Sequence, residues 1–282
     1  MSTTLQAPVK ACRSKSPVET QDAPARDGHF SFHEAAFDYE PYPIGLATSV
    51  LPADWYNELC DTWPDTDLFE YKPNLGHKFS LSIMNRPDVY HQFVRTHAAW
   101  KELYHEINSR TFVERVLNVL IENNIDTGLQ HRRICDVNAL SSPWKKLRKR
   151  VSRRRKTPPL NVRFEYSMLP ADGGHIRPHT DAPAKYITLV LSMVREGEWQ
   201  PEWGGGTEVH KVKDITRNYN HMNHYMEFDE VDTLKAFEFR PNQCVIFVRT
   251  FNSLHSVRPM TGPGTGALRK SLTINIESEY YW

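Results

Sequence analysis

His179 and Asp181 are the first residues in the sequence whose types and spacing suggest chemistry. They lie two positions apart in GGHIRPHTDAPAKYITLVLSM, directly before an apolar run rich in β-formers. Because residues i and i+2 of a strand point to the same side, an imidazole and a carboxylate could reach one metal ion there. A chain with this content of His and Asp contains roughly 0.7 such pairs by chance. The pair alone therefore does not separate a metal site from a polar turn.

A second histidine, His255, follows the apolar segment Cys244 to Val248. Two imidazoles and one carboxylate on one face of an ion leave three coordination positions open. This arrangement suits non-haem Fe(II) that binds a co-substrate and O₂. Zinc more often takes a closed tetrahedral site or a third histidine, and the sequence has no HExxH motif.

The segment GALRKSLTINI supplies a candidate anion-binding residue, Arg269, with Ser271 two positions further on. A strand period of two places polar residues on one face of this segment: Arg269, Ser271, Thr273 and Asn275. The other face is apolar, as expected for a barrel that is lined for a ligand and covered outside by helices. The planar fork of an arginine binds both oxygens of a carboxylate, and a serine hydroxyl can add a hydrogen bond. Taken alone, Arg269 could equally be a surface residue on an edge strand.

Short β-rich segments make up most of the second half of the chain: LNVRFEYSML, KYITLVLSM, TEVHKV, LKAFEF, QCVIFV and RKSLTINI. Without intervening helices they predict an antiparallel sandwich or barrel. Upstream, PADWYNELCDTWP predicts a short helix and AWKELYHEINSRTFVERVLNVLIENN a helical zone, with Thr111 and Glu114 as a capping box. We therefore expect an α+β fold, with helical support over about 44–143 and a β-core over about 160–278.

The composition limits the organisation of the chain. With 282 residues and 39% hydrophobic content, one sizeable core is expected. Residues 1–28 are rich in small, polar and charged residues and are predicted to be a disordered tail. Residues 29–282 are expected to form a single catalytic domain. The four cysteines are far apart, and the sequence has neither an apolar run of about 18 residues nor a signal-peptide centre. We expect a cytoplasmic protein with reduced cysteines and no transmembrane segment.

A basic run, Lys145–Lys156, lies in the predicted loop 144–159 and contains no acidic residue. It has three interpretations: a solvated linker, a site for an anionic partner such as a glycan, a lipid surface or an acidic carrier, or a nucleic-acid contact. Nucleic acid is the weakest of these, because a single run without interleaved aromatic residues is not a recognition surface.

The order His-x-Asp, distal His and Arg-x-Ser resembles the 2-oxoglutarate and Fe(II)-dependent oxygenase superfamily. The segments EWGGGTEVH and FRPNQCVIFVRTFNSLHSVRPM are similar to strands of its prolyl 4-hydroxylase-like branch. The resemblance covers roughly residues 161–278. It implies a double-stranded β-helix, a jelly-roll or cupin-like core, flanked by N-terminal helices.

By this resemblance, His179, Asp181 and His255 are the expected iron ligands. Arg269, helped by Ser271, is expected to bind the distal carboxylate of 2-oxoglutarate. The family often takes a tyrosine from the strand before His-x-Asp, and Tyr166 is the nearest candidate, although a buried strand aromatic explains it equally well. The implied reaction consumes O₂ and converts 2-oxoglutarate to succinate while a substrate is hydroxylated. Ascorbate is a reductant that could stimulate it.

The expected substrate is a small polar metabolite, a sugar-containing molecule such as a glycan, or an amino-acid residue. Arg177, two positions before His179, is a candidate contact for an anionic substrate. The insertion KVKDITRNYNHMNHYMEFDEVDT, residues 211–233, is either a lid or a solvated excursion. The alternatives are a peptidyl-prolyl hydroxylase, a non-catalytic metal-binding or sensing protein on the same fold, and a cupin-like isomerase. The sequence does not predict an oligomeric state.

Overall fold

Two antiparallel sheets enclose a cavity in the second half of the chain, and helices from the first half cover the larger sheet. The computed structural model describes residues 28–135, 157–264 and 266–278. Most of the predicted N-terminal tail and the whole basic run Lys145–Lys156 lie outside the described residues. The strands, in chain order, are β1 (Ala36–Asp38), β2 (Ile44–Ala47), β3 (Glu70–Lys72), β4 (Lys78–Ser82), β5 (Asn161–Pro170), β6 (Ile176–His179), β7 (Lys185–Ser192), β8 (Thr207–Val212), β9 (Val231–Phe237), β10 (Cys244–Val248), β11 (His255–Val257) and β12 (Leu268–Glu277).

The two sheets have the strand orders of an antiparallel double-layered core. The larger runs β1-β2-β10-β7-β12-β5-β4-β3, and the smaller runs β6-β11-β8-β9. Strands β5 and β12 pair along their full lengths, from Leu268 opposite Pro170 to Glu277 opposite Asn161. From β5 to β12 the chain alternates between the two sheets, except at β8 and β9, which pair within the smaller sheet. This agrees with the expected double-stranded β-helix and α+β class.

Among the described residues, four α-helices form the outer layer: α1 (Ala53–Asp61), α2 (Pro87–Thr96), α3 (Ala98–Ile107) and α4 (Arg110–Glu122). Their buried faces share one core with the apolar face of the larger sheet, where Trp100 and Leu117 belong to the same cluster as Leu272 and Ile274. Each large apolar side chain buried there contributes roughly 1.5–3 kcal/mol. This layer fixes the outer face of the sheet and leaves its inner face to the cavity.

The six β-rich segments predicted from the sequence are all strands, and the helical first half is confirmed in part. That half also supplies strands β1 to β4, which extend the larger sheet at both edges. The sequence did not predict them because they are only three to five residues long, too short for a clear period of two. No helix within the described residues is long and apolar enough to cross a membrane. The domain boundaries and the compartment stay predictions.

The predicted helical zone around residue 110 is two helices, and its predicted capping box is wrong. Helix α3 ends at Ile107 and α4 begins at Arg110. The cap is Ser109, whose Oγ accepts a hydrogen bond from the backbone N–H of Phe112 at 3.1 Å. Thr111 is therefore inside the first turn and exposed.

Replacement of Ser109 by alanine should lower the free energy of unfolding by about 1 kcal/mol, because a backbone donor of α4 loses its partner. Thr111→Ala is the matched control and should change stability by less than about 0.5 kcal/mol. Urea unfolding of both variants measures the difference. If both variants lost the same free energy of unfolding, the assignment of Ser109 instead of Thr111 as the cap would be wrong.

Candidate active site

The three candidate metal ligands meet where strands β6 and β11 pair. His179, the last residue of β6, is directly opposite His255, the first residue of β11. The ligand atoms of His179, Asp181 and His255 all lie within 4.8 Å of one another. Asp181 lies beyond the end of β6 with φ 71°, a left-handed value that few non-glycine residues adopt. Its carboxylate thus reaches the imidazoles through a turn. The sequence had predicted that it would do so through strand alternation, which is not observed.

Backbone contacts prepare both histidines for a metal. The Nδ1 atom of His179 is 2.9 Å from the carbonyl oxygen of Arg177, and Nδ1 of His255 is 2.9 Å from that of Ser253. A proton on each Nδ1 satisfies these carbonyls and leaves the lone pair on Nε2. Burial and the neighbouring His255 ring lower the pKa of His179 to about 3, and burial lowers the pKa of His255. Both rings are therefore neutral, as a metal ligand must be.

Asp181 is ionised and held at both carboxylate oxygens. Oδ1 accepts a hydrogen bond from the ammonium of Lys185 at 2.6 Å, and Oδ2 accepts one from the Thr188 hydroxyl at 2.9 Å. Burial would raise the pKa of Asp181, but the Lys185 ammonium outweighs it and holds this pKa well below its ordinary value. Two neutral imidazoles and one carboxylate are a donor set that fits Fe(II) with open coordination positions.

Arg269 is a buried cation in the same cavity, with only 4% of its surface exposed. Its Nε donates to the carbonyl oxygen of Gly205 at 2.5 Å, a terminal nitrogen donates to Ser271 Oγ at 3.3 Å, and the guanidinium lies 4.4 Å from the ring centre of Phe239. Burial lowers the pKa of Arg269 to about 10, so it is charged at neutral pH. Within the described part of the chain, no carboxylate is within ion-pair distance of it. A ligand carboxylate would supply the missing anion.

The glycines before β8 make room for this arginine. Gly204 and Gly205 have φ of 81° and 85°, values that favour glycine. A Cβ on Gly205 would lie 3.2 Å from the Cδ atom of Arg269 and 3.1 Å from the sulfur of Met260. The glycine motif seen in the sequence is thus explained by close approach of backbone and guanidinium.

The cavity has a volume of about 220 Å³ and contains the triad and the polar face of β12. Further polar residues line it that the sequence analysis did not single out: Lys78, Arg163, Glu165, Lys185 and Thr188. Arg163 and Glu165 alternate along β5 with core residues. The period of two that predicted the polar face of β12 would therefore also have predicted that these two side chains face the cavity. Lys78 could not be found in this way, because β4 is short and far upstream in the sequence.

The structure corrects the expectation for Tyr166. This residue is on the opposite face of β5 from the cavity, fully buried in the core under the helices. Its ring packs edge-on against Trp63 at 5.3 Å and Trp100 at 4.8 Å. Its hydroxyl oxygen is buried without a hydrogen-bond partner. The alternation of β5 directs residue 166 away from the cavity, so the alternative of a buried strand aromatic is the one observed.

Arg177 is on the rim of the site, not inside it. Its side chain is 38% exposed, pairs with Glu227 at 2.6 Å and lies over the ring of Tyr225 at 5.2 Å. Together with Lys78 and His179, Arg177 and Tyr225 line a chamber of about 70 Å³ that adjoins the cavity. The predicted anionic contact at Arg177 stays a prediction, and the position of this residue restricts it to a group at the rim of the metal site.

The insertion of residues 211–233 packs on the His-x-Asp turn. The Tyr225 ring stacks on His179 with centroids 5.3 Å apart. Thr180 donates its backbone N–H to Asn223 Oδ1 at 3.1 Å and its hydroxyl to the carbonyl oxygen of Asn220 at 2.6 Å. These contacts make this part of the insertion a wall of the site entrance, which a solvated excursion would not be.

Two antiparallel layers with two histidines and an aspartate at their open end define a non-haem iron site of the facial type. Residues 164–277 match the family model described as the 2OG-Fe(II) oxygenase superfamily. This match assigns residues 164–277 to the superfamily, and the segment contains His179, Asp181 and His255 as the candidate facial triad of a 2OG-Fe(II) oxygenase. Fe(II) and 2-oxoglutarate are the cofactor and co-substrate that the family and the triad imply.

Solved structures with a similar fold come from several members of this class. A prolyl 4-hydroxylase from Pseudomonas putida is 16% identical, with 84% of this chain and 93% of that chain covered and a TM-score of 0.47. A prolyl hydroxylase from Trichoplax adhaerens is 10% identical, with 83% of each chain covered and a TM-score of 0.45. The epimerase SnoN from nogalamycin biosynthesis is 11% identical, with 83% and 76% covered and a TM-score of 0.45. No curated protein matches the chain significantly. Sequence identities this low do not indicate which substrate this chain uses.

Tyr166→Phe should leave the KM for 2-oxoglutarate unchanged, because the hydroxyl does not face the cavity. It should raise the free energy of unfolding by about 1 kcal/mol, since removing an unpaired buried hydroxyl relieves its desolvation cost. Succinate formation at varied 2-oxoglutarate concentrations and urea unfolding measure the two effects. A large increase in KM without loss of stability would mean that Tyr166 does contact the co-substrate.

Proposed function

We propose that the protein hydroxylates a small polar substrate, which is a metabolite, a sugar-containing molecule or an amino-acid residue, and converts 2-oxoglutarate to succinate and CO₂ in the same turnover. The observation that supports this is the buried Arg269, without a carboxylate partner among the described residues, in one cavity with the triad. Bound Fe(II) supplies the redox chemistry, in which O₂ takes two electrons from 2-oxoglutarate and two from a substrate C–H bond. A binding or sensing protein on this fold would not need the arginine.

The side chains of this chain position the reactants. His179, His255 and Asp181 hold the metal, and Thr188 keeps the Asp181 carboxylate in orientation. Arg269 and Ser271 bind the distal carboxylate of 2-oxoglutarate, while Phe239 covers the guanidinium and excludes water from the ion pair. Exclusion of water strengthens this electrostatic contact. The cavity contains both the arginine and the triad, so a co-substrate held at Arg269 can present its other end to the metal.

The chamber at the rim is the proposed entrance for the substrate. Arg177 and Tyr225 offer a cation and an aromatic face there, and residues 211–233 act as its wall or lid. The peptidyl-prolyl alternative has no separate support in the site geometry, and a proline-rich peptide in the same assay tests it. The anionic partner at Lys145–Lys156 stays a proposal about residues outside the described part of the chain.

Asp181→Ala should lose Fe(II) affinity by more than about 100-fold, because loss of an outer partner of a ligand alone costs 10- to 100-fold. Succinate formation without added substrate should fall with it. Iron retained after gel filtration and succinate measured by mass spectrometry report the two losses. Asp172→Ala, which removes an exposed carboxylate of the preceding loop, is the control. If folded Asp181→Ala retains wild-type iron and turnover, the metal assignment is wrong.

Arg269→Gln should raise the KM for 2-oxoglutarate by about 100-fold, because two charge-assisted hydrogen bonds worth about 1.5–3 kcal/mol each are weakened. Iron content should be unchanged, and Arg269→Lys should fall between wild type and Gln. Arg240→Gln removes an exposed guanidinium and is the control. An unaltered KM in Arg269→Gln would place the carboxylate elsewhere.

A further inference from the structure

The cavity has an excess of positive charge. Within the described part of the chain, four cationic side chains line it: Lys78, Arg163, Lys185 and Arg269. Two carboxylates oppose them, Glu165 and Asp181, and the two histidines are neutral. Fe(II) brings two positive charges and 2-oxoglutarate brings two negative charges, so the proposed cofactor and co-substrate leave the excess unchanged.

Three of the four cations have a carboxylate partner that stays in place when the metal and 2-oxoglutarate are bound. Lys78 pairs with Glu165 at 2.5 Å. Arg163 forms a bidentate pair, at 3.1 and 3.0 Å, with Glu277, which lies outside the cavity lining. Arg269 takes the distal carboxylate of 2-oxoglutarate.

Lys185 differs from the other three cations. Its side chain is 17% exposed, and among the described residues it forms an ion pair with Asp181 Oδ1 at 2.6 Å. That oxygen lies 3.7 Å from Nε2 of His179, on the side of the carboxylate that faces the other ligands. A metal at the triad therefore competes with Lys185 for the same anion. Glu165, the other carboxylate of the cavity, is paired with Lys78. A largely buried ammonium that shares its ion-pair partner with a metal is destabilised until another anion approaches.

We propose that the substrate carries a carboxylate, which Lys185 binds beside the metal site, and that Lys185 selects acidic over neutral substrates. This inference rests on the proposed function and narrows it. The four cationic side chains and Fe(II) carry six positive charges. Glu165, Asp181, Glu277 and the 2-oxoglutarate dianion carry five negative charges, so one positive charge remains unbalanced. A carboxylate balances that charge, whereas a phosphate dianion would reverse it. A proline inside a peptide has no such group, so the inference also separates this enzyme from a peptidyl-prolyl hydroxylase.

The test titrates simple carboxylates into the anaerobic complex of the full-length enzyme with Fe(II) and 2-oxoglutarate. Acetate, butyrate and hexanoate are each compared with their primary amides, and the visible charge-transfer absorption of the complex reports binding. At least one carboxylate should perturb this absorption saturably, and its amide should not. Lys185→Met should weaken that binding at least tenfold, and Lys185→Arg should largely retain it.

Controls separate recognition of a substrate from other roles of Lys185. Lys270→Met removes an ammonium from the opposite face of β12 and should behave as wild type. Iron content, thermal melting and the KM for 2-oxoglutarate are measured for every variant. The inference is overturned if amides bind as well as carboxylates, if no carboxylate binds saturably, or if Lys185→Met binds them normally. It is also overturned if the sole defect of Lys185→Met is a raised KM for 2-oxoglutarate. If wild type forms neither the absorption band nor succinate, the proposed function itself fails.

Discussion

The period of two in strands β5 and β12 is the constraint on which the cavity depends. In their pairing Ser271 is opposite Ser167 and Thr273 is opposite Glu165, all on the inner face, while Leu272 is opposite Tyr166 on the outer face. A slip of one residue in either strand would place polar groups under the helices and apolar groups in the cavity. The helical layer resists such a slip, because it buries the outer residues in one continuous core. Folding energy on one side of the sheet thus fixes chemistry on the other.

The parts of the site that depend on local pattern were predictable from the sequence. His179, Asp181, His255, Arg269 and Ser271 were singled out there, and the structure brings all five to one cavity. Alternation was sufficient for β12, where strand length made the pattern clear. The same alternation along β5 places Tyr166 on the outer face, so the tyrosine expected from the family resemblance does not face the cavity.

Other features depend on tertiary contacts that no local pattern encodes. Lys78 reaches the cavity only because β4 pairs with β5, two strands that lie about eighty residues apart in the chain. Asp181 reaches the histidines through a left-handed turn, for which the sequence offers no signal. The cap of α4 was misplaced by two residues because Ser109 and Thr111 are both good capping residues, and only the end of α3 at Ile107 decides between them.

The contacts between the insertion and the His-x-Asp turn connect the ordering of the entrance wall with the binding of the metal. Tyr225 stacks on His179, and Asn223 accepts a hydrogen bond from the backbone N–H of Thr180. The entrance wall is therefore in direct contact with a metal ligand and with the residue that follows it. Thermodynamic reciprocity then requires that any free energy by which metal occupancy orders this wall be returned as tighter metal binding when the wall is ordered. To the extent that metal binding orders this wall, any molecule that orders the wall by binding at the entrance must also tighten metal binding.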